Sequence, residues 1–117
     1  MPHIVMEYSD PVSERVNIGQ LLEDLHHTVI GSGEFDVSDT KSRAYACHEW
    51  LIGEADNQEN FIHVTLWLLD GRDESKKYNL THALLDVLKQ HAGDVVSLTV
   101  DARDMDRRWY AKEKRDA

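Results

Sequence analysis

This 117-residue sequence has one cysteine and no run of apolar residues approaching the roughly 18 that a membrane span requires. Cys47 alone permits neither an intrachain disulfide nor a multi-cysteine zinc site, which fits a reducing compartment. Positive charge is also scarce: 13 Lys and Arg stand against 22 Asp and Glu, a formal net charge of −9. An acidic domain of that balance has no general affinity for nucleic acid phosphates. The opening residues, Met-Pro-His-Ile-Val-Met-Glu-Tyr, lack the basic start and apolar run of an export signal. A soluble, cytoplasmic protein with neither a nucleic acid nor a membrane partner is expected.

What is present is enough to fold. With 41% hydrophobic and 8% aromatic residues the chain is not a disordered acidic tail. Surface scaling at this mass gives a folded area of about 6,500 Å² against about 19,600 Å² unfolded, enough burial for one core. One domain over residues 1–110 is expected, with a short charged tail at 111–117.

Hydrophobic periodicity orders the elements. Ile4 and Met6 alternate with His3, Val5 and Glu7, as in a short strand. After the turn formers Ser9, Asp10 and Pro11, the residues Val16, Ile18, Leu21, Leu22, Leu25, Val29 and Ile30 recur at helical spacing, and Gly31-Ser32-Gly33 ends that helix. A second extended stretch spans roughly Lys41 to Ile52, and the clearest strand is Phe61 to Leu69. Those two strands, joined by the polar stretch from Gly53 to Asn60, read as a hairpin. Asp70-Gly71-Arg72-Asp73 leads into a second helix with Tyr78, Leu80, Leu84, Leu85, Val87 and Leu88 as its stripe. Gly93-Asp94 closes it, and Val95 to Val100 is a fourth strand. The order is β-α-β, β-α-β, an α+β fold in which two helices cover one face of a four-stranded sheet and two strand pairings are parallel.

The third strand is apolar on both alternations, with Ile62, Val64, Leu66 and Leu68 on one side and Phe61, Trp67 and Leu69 on the other. Two helices cover only one face, so the second face predicts a closed homo-oligomer. Residues 103–117 carry six of the thirteen cations. Trp109 and Tyr110 predict packing rather than free disorder for the start of this segment, which is expected to be exposed or seated on a partner subunit.

Chemistry has one candidate at the very start. Pro2 is preceded only by the initiator Met1, whose removal leaves a free secondary amine. Such an amine is a base held rigidly at the start of a strand, and neighbouring cations or burial lower its pKa toward neutrality. The bland alternative is that Met-Pro carries no catalytic meaning.

Pro2-His3 opening a strand, two βαβ units of similar length, Thr40-Lys41-Ser42-Arg43 at the second strand and Gly71-Arg72 after the third together resemble the 5-carboxymethyl-2-hydroxymuconate Δ-isomerase family of the tautomerase superfamily. The resemblance extends to about Tyr110 and lies in the combination of these features. It implies a homotrimer that uses Pro2 to move a proton within a small unsaturated keto or enol acid, as in aromatic degradation, with no metal and no organic cofactor. By the same resemblance Lys41, Arg43 and Arg72 bind the anionic substrate. Lys41 stands where the family has an arginine, so the planar, two-bonded grip on a carboxylate is lost there. Lys41 and Arg43, two apart, share one face of their strand.

Arg72 also has an argument of its own. A cation just before a helix opposes the positive end of the helix dipole, and an anionic ligand would justify it. Neutralisation by Asp70, Asp73 and Glu74 is the plainer account. The seven histidines show no four-residue helical pair of the metal-binding kind, and adjacent His26 and His27 point about 100° apart. Cys47 reads as a buried strand thiol. The competing function is a non-enzymatic small-molecule-binding or scaffold protein that retains the fold. A ferredoxin-like oxygenase shares the element order but has no use for an amino-terminal proline.

Overall fold

The computed structural model describes residues 1–54 and 59–116. Within the sequence-predicted loop, residues 55–58 lie outside that range, as does Ala117 of the tail. The elements are β1 (His3–Ser9), a 3-10 turn at Asp10–Glu14, α1 (Ile18–Gly31), a 3-10 turn at Val37–Asp39, β2 (Lys41–Cys47), β3 (Phe61–Leu69), α2 (Glu74–His91) and β4 (Ser97–Met105). The helices begin on side-chain caps: Asn17 accepts from the Gln20 amide and Asp73 from the Lys76 amide.

The sheet order is β2-β1-β3-β4, with parallel outer pairs and an antiparallel central pair. This corrects the expected hairpin, because β2 and β3 do not pair: β1 lies between them. Each βαβ crossover makes its two strands parallel neighbours, and the two units meet through β1 and β3. β2 is left at the edge, where a charged start such as Lys41 and Arg43 is tolerated. It ends at Cys47, earlier than expected, and Trp50 instead ties the following loop by donating from Nε1 to the Glu59 carbonyl at 2.8 Å. β4 is shifted toward the C-terminus, running on to Met105.

One face of the sheet holds the core. Ile4 and Met6 of β1 and Ile62, Val64, Leu66 and Leu68 of β3 are buried against Leu21, Leu25 and Val29 of α1 and Leu80, Leu84 and Leu88 of α2. Each such aliphatic side chain contributes about 1.5–3 kcal/mol by leaving water. Tyr78, expected in the stripe, is 61% exposed and stacks on His82. Cys47 is half-buried rather than buried.

The opposite face carries His3, Val5 and Glu7 of β1, Lys41, Arg43 and Tyr45 of β2, and Phe61, His63, Thr65, Trp67 and Leu69 of β3, and no helix among the described residues covers it. Trp67 is 38% exposed there. The chain has an accessible surface of 7387 Å², above the about 6,500 Å² of a compact monomer of this mass.

Candidate active site at the amino terminus

Register brings the predicted residues to one end of the sheet, where β1 and β2 begin and β3 and β4 finish. His3 pairs with Lys41 on one side and Trp67 on the other, and Trp67 pairs with Arg103. These four form a cross-strand row on the open face. Arg43 pairs with Val5, one step further along that face.

The α-amino group of Met1 donates to the Asp39 carbonyl at 3.0 Å, and Lys41 Nζ donates to the same oxygen at 3.2 Å. Pro2 is fully buried, and its carbonyl accepts from the Lys41 amide at 3.1 Å, which extends the β1–β2 ladder. The amine's pKa is held below its ordinary value, chiefly by burial. Lys41 and Lys112 push it the same way, while Asp39 and Asp36 oppose them. Burial and the two lysines thus disfavour the protonated form of the Met1 amine.

His3 is part of the same cluster. Its Nδ1 accepts from the Arg43 guanidinium at 3.1 Å, and its Nε2 lies 3.4 Å from the Tyr110 hydroxyl. Guanidinium only donates, so the imidazole proton sits on Nε2, facing Tyr110. Burial, followed by Arg43, Lys41 and the amino terminus, lowers the His3 pKa and favours this neutral ring.

Arg72 is placed differently. Gly71, at φ 108°, turns the chain out of β3 in a conformation that side chains rarely adopt. The Arg72 guanidinium then donates to the carbonyls of Leu69 at 3.3 Å and Glu34 at 2.8 Å, and lies 4.3 Å above the Phe35 ring. Its Nε is buried without a partner. Among the described residues none of the expected neutralising carboxylates pairs with it; Asp70 pairs with Arg107 instead. Within one chain the structure thus gathers Pro2, Lys41 and Arg43, and leaves Arg72 with separate partners.

Sequence reasoning missed Asp39, Tyr110, Lys112 and Lys114. The buried Asp39 carboxylate pairs with Lys112 at 2.7 Å and Lys114 at 3.1 Å, and Lys114 also bonds Ser38. The tail, expected to be exposed or seated on a partner subunit, is exposed over residues 111–116 and reaches back to its own chain at these contacts. No local pattern announces a pairing across more than seventy residues. A cleft of about 310 Å³ beside this end is lined by Trp67, Asp104, Met105, Asp106, Trp109 and Tyr110. A better-enclosed cavity of about 370 Å³ lies between α1 and α2, and touches none of the predicted site residues.

The same architecture occurs in solved structures. A 5-carboxymethyl-2-hydroxymuconate isomerase from Deinococcus radiodurans R1 matches with a TM-score of 0.82 at 25% identity, over 97% of this chain and 90% of that one. A 5-carboxymethyl-2-hydroxymuconate delta-isomerase matches at 0.80 with 15% identity over 99% and 89%, and a fused 4-OT symmetric trimer at 0.66 with 20% identity over 90% and 86%. The last two establish the fold alone, a four-stranded, two-helix α+β arrangement of the tautomerase type.

Sequence comparison narrows the class. The family model for 5-carboxymethyl-2-hydroxymuconate isomerase matches residues 2–112, and the Escherichia coli 5-carboxymethyl-2-hydroxymuconate Delta-isomerase is 24% identical over 91 residues, which are 78% of this chain and 72% of that protein. The chain belongs to the 5-carboxymethyl-2-hydroxymuconate isomerase family, and an isomerase function follows from that membership.

Proposed function

We propose that the protein is a cofactor-independent isomerase that moves a proton within a small unsaturated keto or enol carboxylic acid of the 5-carboxymethyl-2-hydroxymuconate kind, with Pro2 as the base after Met1 is removed. The observation that carries this reading is the position of Pro2, fully buried at the start of β1 with its carbonyl bonded to the Lys41 amide, next to a Met1 amine that donates to the Asp39 carbonyl and has its protonated form disfavoured. In the proposal, removal of Met1 frees the secondary amine of Pro2, the next residue along, beside the start of β2.

In this mechanism Lys41 and Arg43 bind substrate carboxylate and carbonyl oxygens and stabilise the negative charge that develops as a proton leaves carbon or an enol oxygen. Arg72, the cation following β3, which one chain does not bring to this cluster, joins them in the proposal through a neighbouring subunit; among the described residues its charge is met by carbonyl oxygens and an aromatic face. Neutral Pro2 takes the proton and returns it at another carbon, acting in turn as general base and general acid. The cations serve twice, because they also disfavour protonated Pro2.

A homotrimer belongs to the proposal. Support comes from the uncovered sheet face bearing Trp67, the excess accessible surface, and the symmetric trimer named among the structural relatives. Assembly would also bring residues of a neighbouring subunit to the open row of Lys41, His3, Trp67 and Arg103.

The test joins intact mass spectrometry with an ultraviolet assay of keto-enol acids. Protein lacking Met1 should be active, and Pro2→Ala should lower turnover by about two to four orders of magnitude, the range of a positioned acid-base group, with the circular dichroism spectrum unchanged. Full activity in Pro2→Ala overturns the mechanism. Retained Met1 with no turnover on any such acid favours instead the binding or scaffold function on the same fold.

A further inference from the structure

We propose that Lys112 and Lys114 of the carboxyl-terminal segment are positioning residues of the amino-terminal site, which occupy the Asp39 carboxylate and so keep it from pairing with the basic amine. This rests on the reading of that amine as the base, and assigns the tail a part in the same site.

The geometry turns on the two ends of Asp39. Its backbone oxygen receives the Met1 amine and Lys41, its carboxylate receives Lys112 and Lys114, and Pro2, whose amine takes over from that of Met1 in the proposed function, is tied to the neighbouring Lys41 amide through its carbonyl. The tail is seated at further points, since Arg107 donates to the Asp70 carbonyl at 3.0 and 2.8 Å and Tyr110 meets His3. The lysines are thus delivered to Asp39 by an anchored segment and are not simply loose surface charges.

A carboxylate as little exposed as that of Asp39 does not lose its cations at little cost. With the two lysines gone, the terminal amine and Lys41 remain as cations beside Asp39, the Met1 amine and Lys41 both being bonded to its backbone oxygen. An ion pair to the amine would stabilise its protonated form and hold the base inactive to higher pH. The charged and titratable groups around the amine set this balance: Asp36 and Asp39 from the preceding turn, Lys41 from β2, His3 from β1, and Lys112 and Lys114 from the tail. The Met1 amine responds in these directions, its pKa raised by Asp39 and lowered by Lys112.

The deciding experiment compares wild type, Lys112→Gln/Lys114→Gln, and the same double variant with Asp39→Asn added. Two quantities are measured: the pH dependence of kcat/KM for a 2-hydroxy-dienoic acid, and the direct titration of the Pro2 nitrogen by 15N NMR in protein verified to lack Met1. The double variant should move both the acidic limb and the 15N titration upward by about half a unit to one unit, the size of a nearby charge effect. Asp39→Asn should return both to the wild-type position or below, because the carboxylate responsible is then neutral. An unmoved 15N titration in the double variant, or a shift that Asp39→Asn fails to reverse, overturns the proposal. Failure of the base assignment is seen separately, as turnover that survives Pro2→Ala while the 15N titrations still shift and recover.

Discussion

Arg43 of β2 donates to Nδ1 of His3 at 3.1 Å, across two strands paired in parallel. A ring nitrogen thereby holds a guanidinium on the open face of the sheet, and the acceptor exists only while the imidazole is neutral. In the proposed mechanism His3 is thus a positioning residue for a substrate-binding cation.

This predicts that His3→Phe raises KM for an anionic keto-enol acid by about tenfold, the equivalent of one charge-assisted hydrogen bond of about 1.5 kcal/mol, with a smaller effect on kcat. His3→Gln, whose side-chain oxygen still accepts, should restore most of the loss. The pH dependence has a definite sign. The His3 pKa is lowered in the fold, so the contact is fully present above the ordinary histidine pKa of 6.5 and is lost as pH falls through the depressed folded value. Steady-state kinetics of the two variants from pH 5 to 8 check both statements, and equal KM values in wild type and His3→Phe would contradict them.

Trp67 lies beside His3 in register, on the face that no helix covers. Trp67→Lys adds a charge to that face without disturbing the core behind it. Sedimentation velocity should find wild type at three times the 13.5 kDa chain mass and the variant at the mass of one chain. A variant that still sediments as a trimer would show that another surface holds the assembly.

Ser9 ends β1 with its side chain buried between strands. Its hydroxyl donates to Asn60 Oδ1 at 2.7 Å and accepts from the Phe61 amide at 3.1 Å, so it fixes where β3 begins. Ser9→Ala leaves the amide and the Asn60 oxygen short of a partner, at a cost of about 1–3 kcal/mol. Urea unfolding at fixed protein concentration should show this loss in the midpoint with an unchanged slope. A change below about 0.5 kcal/mol would mean that water replaces the hydroxyl.

Much of the fold was legible because helical and strand periodicities are local. The stripe Leu21, Leu25, Val29 and the alternation Ile62, Val64, Leu66, Leu68 became the core that the sequence predicts. The supposed hairpin failed for an equally physical reason. Nearness in sequence favours pairing, yet the crossover through α1 makes β2 parallel to β1, and β3 takes the other edge of β1. The exposure of the tail was legible, residues 111–116 being exposed, but its anchors were not, because they are single ion pairs and hydrogen bonds far apart in the chain, which carry no periodic signature.

The site divides in the same way. That Pro2 follows Met1, that Lys41 and Arg43 share a strand face, and that Cys47 has no second cysteine in this sequence were determined by the residues alone. Strand pairing and chain return decided the rest. They set the Met1 amine and Lys41 on one carbonyl oxygen of Asp39, turned His3 toward Arg43, gave Arg72 to the carbonyls of Glu34 and Leu69, and laid Lys112 and Lys114 on the Asp39 carboxylate. The physical reason is range: covalent order and side-chain periodicity act over a few residues, whereas the burial and charge that tune an amine depend on which distant segments the fold brings within a few ångströms of it.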